Sequence, residues 1–377
     1  MLRRAERAAK RSVGSLFRAL LRSGKRPVVD LRGVRSVLVV RQHNQLGDML
    51  CAVPLLRTLR QQLPSSRIIL ITSPVNHEVM LHNRFVDEIV LFDKSTLTGG
   101  GVPRPGALAS FIRGVRDKRC DCAIVPATVS TSFTSDMLAY LSGAPVRIGC
   151  AGLNGKPSPS SFFFNIPVDL DWRSDPARHQ TLRNMDVLLG ILPPGSDLSS
   201  EITLTEHEKE QGAAMVKGEA GGNASVNVAF HPGAGKLANR WPAERFAAVA
   251  EITAAEFGAA VFITAGPMDD EPVATMEKGL NVRRHVIRNR SIRQVAALLA
   301  AMDLVVSNDT GIMHVAAAVG VPVLSLFGPT DPGQWAPSGP IHRSIRGEGG
   351  RVDSIRVEEV VGNIRRMLRG KPSRVLA

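Results

Sequence analysis

Residues 303–328 constrain the fold more than any other stretch of the sequence, because they combine two apolar strands and one short helix. The apolar run from Leu304 to Val306 predicts one buried strand, and the run from Val321 to Phe327 predicts another. Small apolar residues between them predict a short helix that ends at Gly320. Two strands joined in this way favour a parallel pair, with the helix beginning at the carboxyl end of the first strand.

The beginning of this helix has the character of an anion site. Asn308 and Asp309 are favoured N-cap residues. Thr310 adds a hydroxyl, Gly311 allows close approach to the backbone, and His314 follows one turn later. Because free N–H groups and the helix dipole favour negative charge, the pattern predicts a phosphate or diphosphate site. The alternative is that Asp309 caps a structural helix and His314 is a buried core residue.

Strands and helices also alternate through the rest of the chain, in two successive sets. This alternation predicts an α/β protein with two parallel sheets. Residues 150–180 interrupt it with Gly, Pro and Ser, and Phe162-Phe163-Phe164 there predicts an aromatic edge strand. The linker Pro193-Pro194-Gly195-Ser196 is the predicted domain boundary. The predicted parts are an N-terminal arm, an N-terminal domain, a C-terminal domain and a C-terminal helix with its tail: 1–29, 30–194, 195–354 and 355–377.

The formal charge of +13 is concentrated at the N-terminus. Residues 1–29 contain nine Lys or Arg and one acid, Glu6, which gives +8 and leaves +5 for the remaining residues. This distribution is not that of a uniformly basic nucleic-acid-binding protein. From Val13 onward the apolar residues have helical spacing, which favours an amphipathic helix on an anionic membrane surface. A solvated basic tail is the alternative.

The remaining composition narrows the class of protein. No run of 18 apolar residues predicts a transmembrane helix, and no signal-peptide pattern is present. The four cysteines include no C-x-x-C pair, so they are predicted to be buried free thiols in a reducing compartment.

A second motif follows the predicted strand 226–230. The glycines of His231-Pro-Gly-Ala-Gly235, namely Gly233 and Gly235, allow backbone N–H groups to turn toward a ligand. Arg240 comes just before the predicted helix 243–257, and its guanidinium can bind two phosphate oxygens at once. An arginine in solvent is the alternative.

A third motif follows the first predicted strand, 35–41, and precedes a predicted helix over 49–63. Its turn contains Gly47 as its only glycine and therefore lacks the G-x-G-x-x-G pattern of dinucleotide-binding proteins. A dehydrogenase is accordingly disfavoured. Asp48 follows this glycine, either as a general base or as an ordinary helix cap.

Together these motifs resemble glycosyltransferase family 9, the heptosyltransferases of lipopolysaccharide core assembly. The similar segments are S-N-D-T-G-x-x-H with F-G-P-T-D-P, H-P-G-A-G with R-W-P, and Arg41 with Gly47-Asp48 and Pro54. The resemblance covers roughly residues 35–368. One departure is Arg240, because the family often has lysine there, which keeps the charge and changes the geometry.

The resemblance implies a GT-B fold, with two Rossmann-like domains facing across a cleft. It also implies an inverting transfer without a metal or cofactor, from an ADP-heptose-type donor to an anionic lipid-linked sugar. The expected location is the cytoplasmic face of the inner membrane, as a peripheral protein.

Residue roles follow from the same resemblance. Asp48 matches the aspartate proposed as the base, and Glu271 matches the carboxylate that holds the ribose, with Asp270 as the alternative. Five residues are expected to bind the donor's diphosphate and sugar: Arg240, Asp309, Thr310, Gly311 and His314. Five residues are expected to contact acceptor phosphates, although the last two could be a solvated helix face: Arg41, His43, Asn44, Arg57 and Arg60.

Other functions fit parts of the pattern. A nucleotide-sugar epimerase can have the same two-domain architecture, and a family 9 transferase could use a different donor and acceptor. A binding protein that uses the basic arm to hold nucleic acid is a further alternative.

Overall fold

The structure is a computed structural model that describes residues 31–99, 102–220 and 225–369. These residues form two compact units. The first contains the described residues up to Asn44, together with Cys51–His77 and Arg84–Leu198. The second contains Gln45–Leu50, Glu78–Asn83 and the described residues from Ser199 onward. The predicted membrane-binding arm, residues 1–29, lies outside the described residues.

The first unit is built on a mainly parallel sheet. Its strands, with a small antiparallel ribbon of β4 and β5, are β1 (Ser36–Arg41), β2 (Arg67–Thr72), β3 (Glu88–Leu91), β4 (Thr98–Gly99), β5 (Val102–Pro103), β6 (Cys122–Ile124), β7 (Val146–Leu153), β8 (Lys156–Pro157) and β9 (Ile166–Leu170). The sheet order is β3-β2-β1-β6-β7-β8, and β9 pairs in parallel with β7. Only the β7–β8 pair in this sheet is antiparallel among the described strands.

The second unit has a fully parallel sheet in its described part. Its strands are β10 (Val226–His231), β11 (Ala259–Thr264), β12 (Arg284–Ile287), β13 (Leu304–Asn308), β14 (Val323–Phe327) and β15 (Arg343–Arg346). Their order is β12-β11-β10-β13-β14-β15, which is the 3-2-1-4-5-6 order of a Rossmann sheet. Every residue of β13 and β14 is buried, as expected for strands covered on both faces.

Helices connect these strands. They are α1 (Leu46–Leu50), α2 (Val53–Gln62), α3 (Pro74–Met80), α4 (Lys94–Leu97), α5 (Pro105–Arg116), α6 (Phe133–Leu141), α7 (Gln180–Met185), α8 (Glu206–Ala220), α9 (Ala243–Phe257), α10 (Asp270–Lys278), α11 (Ile292–Ala300), α12 (Gly311–Ala318), α13 (Pro332–Trp335) and α14 (Val357–Arg369). Within the described ranges, no helix is long and apolar enough to cross a membrane.

Two predictions of local structure were wrong. The helix predicted over 49–63 is two helices, α1 and α2, because Pro54 has no N–H to donate and lies in the first turn of a new helix. The predicted strand Phe162-Phe163-Phe164 begins instead within the 3₁₀ helix Ser161–Phe163. Tertiary packing decides this conformation: the ring of Phe163 is fully buried, with Phe133 and Tyr140 at centroid distances of 5.5 and 5.3 Å.

Arg293 of α11 fixes the segment Glu78–Asn83 within the second unit. Its guanidinium is nearly buried and donates to the carbonyl oxygens of Glu78 and Leu81 at 2.9 and 3.3 Å. The same group donates twice to the carboxylate of Glu208, at 2.6 Å each. These bonds lower the pKa of Glu208 to about 2, so that carboxylate remains charged at neutral pH.

Candidate active site

The second sheet changes winding direction between β10 and β13, because β10 pairs with β11 on one side and with β13 on the other. The two strands pair in parallel, and His231 is in register with Ser307 at their carboxyl ends. In open α/β sheets, ligands bind outside such a point, because the loops that leave the two strands separate there. The H-P-G-A-G and N-D-T-G motifs therefore begin side by side at the edge of the sheet where a ligand is expected.

Asn308, the last residue of β13, connects this strand to the two loops that contain Gly233 and Trp241. Its side chain is fully buried and donates to the carbonyl oxygens of Pro232 and Gly233 at 2.9 and 3.1 Å. Its amide oxygen accepts from the backbone N–H of Trp241 at 3.0 Å. One side chain thus fixes two loops relative to β13: the glycine loop, residues 232–235, and the arginine loop, residues 236–242.

The prediction that Asn308 or Asp309 caps the helix was wrong, because Thr310 is the N-cap of α12. Thr310 has extended backbone geometry, and its side-chain oxygen accepts from the N–H of Ile312 at 3.2 Å. The hydroxyl still has its own proton to donate, so capping does not remove it from a ligand site. Asp309 instead accepts from the side-chain amide of Asn239 at 2.9 Å. Burial raises the pKa of Asp309, against the opposing effects of Thr330 and a lysine.

Arg240 and Glu271 form an ion pair. The Arg240 guanidinium donates to the Glu271 carboxylate at 2.9 Å and to the carbonyl oxygen of Ala234 at 3.2 Å. The Arg240 side chain is 20% exposed, whereas that of Glu271 is 76% exposed. Asp270, the alternative to Glu271, pairs instead with Arg288 at 2.7 Å. The structure therefore brings a cation and a carboxylate together at the beginning of α10.

Gly233 is required by space. A Cβ atom at this position would lie 2.1 Å from the carboxylate oxygen of Asp269, so any side chain would displace the loop. Asp269 is nearly buried and accepts from the N–H of Gly266 at 2.8 Å. By contrast, a Cβ atom at Gly235 would have no neighbour within 4 Å, so space does not require a glycine at that position.

His231, the last residue of β10, directly precedes the glycine loop and is fixed by contacts with Thr264 and Asp269. Its Nδ1 atom lies 3.0 Å from the hydroxyl of Thr264, and its Nε2 atom lies 3.8 Å from the carboxylate of Asp269. Burial lowers the pKa of His231, with the charge of Asp269 acting in the opposite direction. The ring is therefore neutral at physiological pH and acts as part of the framework.

Asp48 lies half-buried in α1, which belongs to the second unit together with α12. The two helices pack directly on each other through Leu46 and Gly311, where a Cβ atom on the glycine would be 3.3 Å from the Cβ of Leu46. The predicted base and the predicted donor residues are thus parts of one compact unit.

The predicted acceptor residues belong to the first unit and divide into two groups. Arg41, His43 and Asn44 follow one another at the end of β1, with Arg41 buried, His43 half-buried and Asn44 exposed. The Arg41 guanidinium lies 3.4 Å from the His43 ring. This end of β1 is the winding-direction change of the first sheet, between β1 and β6.

Arg57 and Arg60, the other two predicted acceptor residues, have protein partners in the structure. Arg57 is 5% exposed and pairs with the carboxylate of Asp197 at 3.2 Å. Arg60 donates to the carbonyl oxygen of Ser66 at 2.9 Å and to the carboxylate of Asp87. Neither guanidinium is available to a phosphate without losing these partners.

The predicted set missed Asn308, Asn239 and Asp269. In the sequence, Asn308 lies within the N-D-T-G motif, Asn239 directly precedes Arg240, and Asp269 directly precedes Asp270. Among the side chains that the structure describes, no group of three or more His, Cys, Asp or Glu residues is arranged to hold a metal ion.

A family model described as glycosyltransferase family 9 (heptosyltransferase) matches residues 108–360. The chain belongs to glycosyltransferase family 9. It is therefore a glycosyltransferase, as the motifs predicted, and the epimerase and nucleic-acid-binding alternatives are not retained.

Two relatives of this family 9 enzyme match it over different shares of the chain. Lipopolysaccharide heptosyltransferase 2 of Escherichia coli K12 is 26% identical over 309 residues, covering 80% of this chain and 85% of the relative. Lipooligosaccharide heptosyltransferase 2 of Haemophilus influenzae is 35% identical over 133 residues, covering 32% of this chain and 37% of the relative.

Solved structures establish the fold of this family 9 enzyme. A family 9 glycosyl transferase from Veillonella parvula has a TM-score of 0.77 at 23% identity, covering 89% of this chain and 98% of that one. E. coli ADP-heptose lps heptosyltransferase II has a TM-score of 0.73 at 23% identity, with the same coverage. The fold is of the GT-B type, with two Rossmann-like domains, as predicted.

Proposed function

We propose that this enzyme transfers a heptose from an ADP-linked donor to an anionic, lipid-linked saccharide of the lipopolysaccharide core. The names of its relatives support this choice of donor and acceptor. The observation on which the proposal mainly depends is the Arg240–Glu271 pair, which lies in the same unit as the beginning of α12. Diphosphate recognition requires a cation and free N–H groups, and ribose recognition is well served by a carboxylate.

On this proposal the donor is bound entirely by the second unit. Backbone N–H groups near Gly233 and Gly235, the helix start at Thr310 and the guanidinium of Arg240 bind the diphosphate. Glu271 accepts hydrogen bonds from the ribose hydroxyls. The Arg240–Glu271 pair then opens, because each partner exchanges the other for a group of the nucleotide.

Asp48 is the proposed general base. It accepts the proton of the acceptor hydroxyl while the oxygen attacks the anomeric carbon of the heptose. The bond from that carbon to the diphosphate oxygen breaks on the opposite face, so the anomeric configuration is inverted. The departing ADP gains negative charge, which Arg240 and the N-terminus of α12 stabilise. The reaction, as proposed, needs no metal ion or cofactor.

The acceptor is proposed to bind through the first unit. Arg41 supplies positive charge for its phosphate groups, His43 supplies a hydrogen-bond donor, and Asn44 adds an exposed amide. The proposed location is the cytoplasmic face of the inner membrane, where residues 1–29 would contact anionic lipid as a peripheral anchor.

The substitution Asp48→Asn tests the mechanism, because it keeps the size of the side chain and removes its basicity. Loss of a general base is expected to lower kcat by about 10²–10⁴-fold. The dissociation constant for ADP, measured by calorimetry, should remain within about threefold of the wild-type value. Asp117→Asn, at an exposed aspartate just after α5, is the matched control.

Wild-type kcat in the Asp48→Asn variant would remove Asp48 from the mechanism. The donor is tested separately, by the thermal shift that ADP, UDP and GDP each produce with the wild-type protein. A larger stabilisation by UDP or GDP than by ADP would contradict the proposed donor.

A further inference from the structure

Helix α1, which contains Asp48, is only five residues long. A helix this short is not stable alone in water, because its few hydrogen bonds do not offset the cost of nucleation. The position of the Asp48 carboxylate therefore depends on what α1 packs against. Within the second unit, that partner is α12, the helix whose N-terminus forms the proposed diphosphate site.

These helices come close together where Gly47 faces the ring of His314. A Cβ atom built on Gly47 would lie 2.6 Å from Cδ2 of His314 and 2.9 Å from its Nε2. Gly47 is not among the glycines with positive φ, so backbone conformation does not require glycine here. Glycine is present because the imidazole occupies the space of a side chain.

Two further contacts fix α1 at its ends. At its beginning Leu46 packs on Gly311, and at its end the hydroxyl of Ser200 donates to the carbonyl oxygen of Leu50 at 2.9 Å. The His314 side chain itself is 5% exposed, and its ring lies edge-on to that of Trp335, with centroids 6.2 Å apart. The imidazole is thus a buried ring against which α1 packs.

We infer that His314 is a positioning residue for Asp48, acting through its contact with Gly47. This inference rests on the proposed function, in which Asp48 is the base. The contact holds the carboxylate at a fixed place relative to the donor helix, in the unit that binds the donor. Because a displacement of about 1 Å can lower a rate about a hundredfold, a small shift of α1 is sufficient to impair transfer.

The substitution Gly47→Ala tests the inference, since the added methyl group must push α1 away from the ring. We expect kcat to fall at least tenfold, while the dissociation constant for ADP stays within threefold of wild type. Gly362→Ala is the matched control, because a Cβ atom on this helical glycine of α14 meets nothing within 4 Å. It should leave kcat unchanged.

The double variant Gly47→Ala/His314→Ala separates positioning from a direct contact of His314 with the donor. Removing the ring makes room for the methyl group, so kcat should recover at least threefold from the value of Gly47→Ala. If the two substitutions instead lower kcat independently, or if Gly47→Ala transfers heptose at the wild-type rate, the inference is wrong.

A variant that retains the glycine protects the test against misfolding. Leu46→Ala leaves a gap against Gly311, so α1 should loosen and kcat should fall while ADP affinity is kept. Wild-type kcat in a folded Leu46→Ala protein would also contradict the inference. A wild-type protein that transfers no heptose would contradict the proposed function itself, whereas active wild type with fully active variants would contradict only the positioning role of His314.

Discussion

Asn308→Ala is the substitution that most directly tests how the donor site is built. The change removes a fully buried amide that makes three hydrogen bonds to the backbone. It leaves the N–H of Trp241 and the carbonyl oxygens of Pro232 and Gly233 without this partner. Alanine fills less of the space, so water or a shifted loop must replace the lost contacts.

The magnitude follows from the number of backbone groups that lose a partner. Leaving a buried polar group unsatisfied costs about 1–3 kcal/mol, and three groups are affected. Two are carbonyl oxygens, which tolerate weak or missing hydrogen bonds better than an N–H does. We therefore expect the free energy of unfolding to fall by about 3–5 kcal/mol, at the upper end of what single substitutions cause.

Urea unfolding measures this loss, and calorimetry with ADP measures its effect on the site. The glycine and arginine loops should become mobile, so the dissociation constant for ADP should rise at least tenfold in the folded variant. Asn363→Ala is the control: this half-buried asparagine of α14 donates within its own helix, to the carbonyl oxygen of Glu359, and should change stability by under about 0.5 kcal/mol.

A second substitution, Asn308→Asp, has nearly the same volume and keeps the acceptor for Trp241. It loses both donated bonds and places a negative charge beside two carbonyl oxygens, so it should also weaken ADP binding. If Asn308→Ala costs less than 1 kcal/mol and leaves ADP affinity unchanged, the side chain does not hold the loops, and the reasoning fails.

Three further predictions concern single side chains. Arg240→Ala should raise the dissociation constant for ADP, measured by calorimetry, roughly tenfold to a hundredfold. The reason is that a hydrogen bond to a charged group contributes about 1.5–3 kcal/mol. Unchanged affinity would show that Arg240 does not contact the nucleotide. Burial raises the pKa of Asp136 to about 7, so the folded state binds its proton more tightly and the free energy of unfolding falls as pH rises from about 4 to 7. Asp136→Asn, which keeps an acceptor for Ser160, should flatten that fall in urea unfolding between about pH 4 and pH 7, and an unaltered slope would refute it. Trp241→Phe should cost about 1–3 kcal/mol in the same assay, since the buried indole donates to the carbonyl oxygen of Ile355 at 3.0 Å; a loss below 0.5 kcal/mol would argue against this bond.

The elements that the sequence predicted best have local end signals. The helix predicted over 243–257 has the same bounds as α9, which ends at Gly258 in the left-handed conformation. The strand predicted over 226–230 is β10, which runs one residue further, to His231, and ends just before Pro232. The segment Phe162-Phe163-Phe164 has no such end signal. Its apolar residues fit a strand or a helix equally well, and only contacts with distant rings choose between them.

The site could be located from the sequence better than its individual roles could be assigned. Glycine loops after buried strands predicted where the motifs meet, because parallel strands end at the same edge. The side chain of an asparagine can cap a helix or bond to a distant loop, and Asn308 does the second. Arginines on a helix face, such as Arg57 and Arg60, can bind a ligand or a neighbouring carboxylate. Spacing along the chain does not distinguish these cases, since the partners are far away in sequence.

The ion pair of Arg240 with Glu271 links these observations to binding. Because the carboxylate is largely exposed, water screens the attraction, and the pair contributes at most about 1 kcal/mol to stability. Opening it therefore costs a ligand little. The pair nevertheless restrains each side chain next to the loop that Asn308 holds, so less ordering of these side chains is needed on nucleotide binding. A sugar-linked diphosphate carries two negative charges where the carboxylate carries one, so it attracts Arg240 more strongly, and the ribose gains the acceptor that Arg240 releases. On the proposed roles, the diphosphate and the ribose therefore assist each other's binding. A ligand that lacks one of these groups is expected to lose more affinity than that group's own contacts provide.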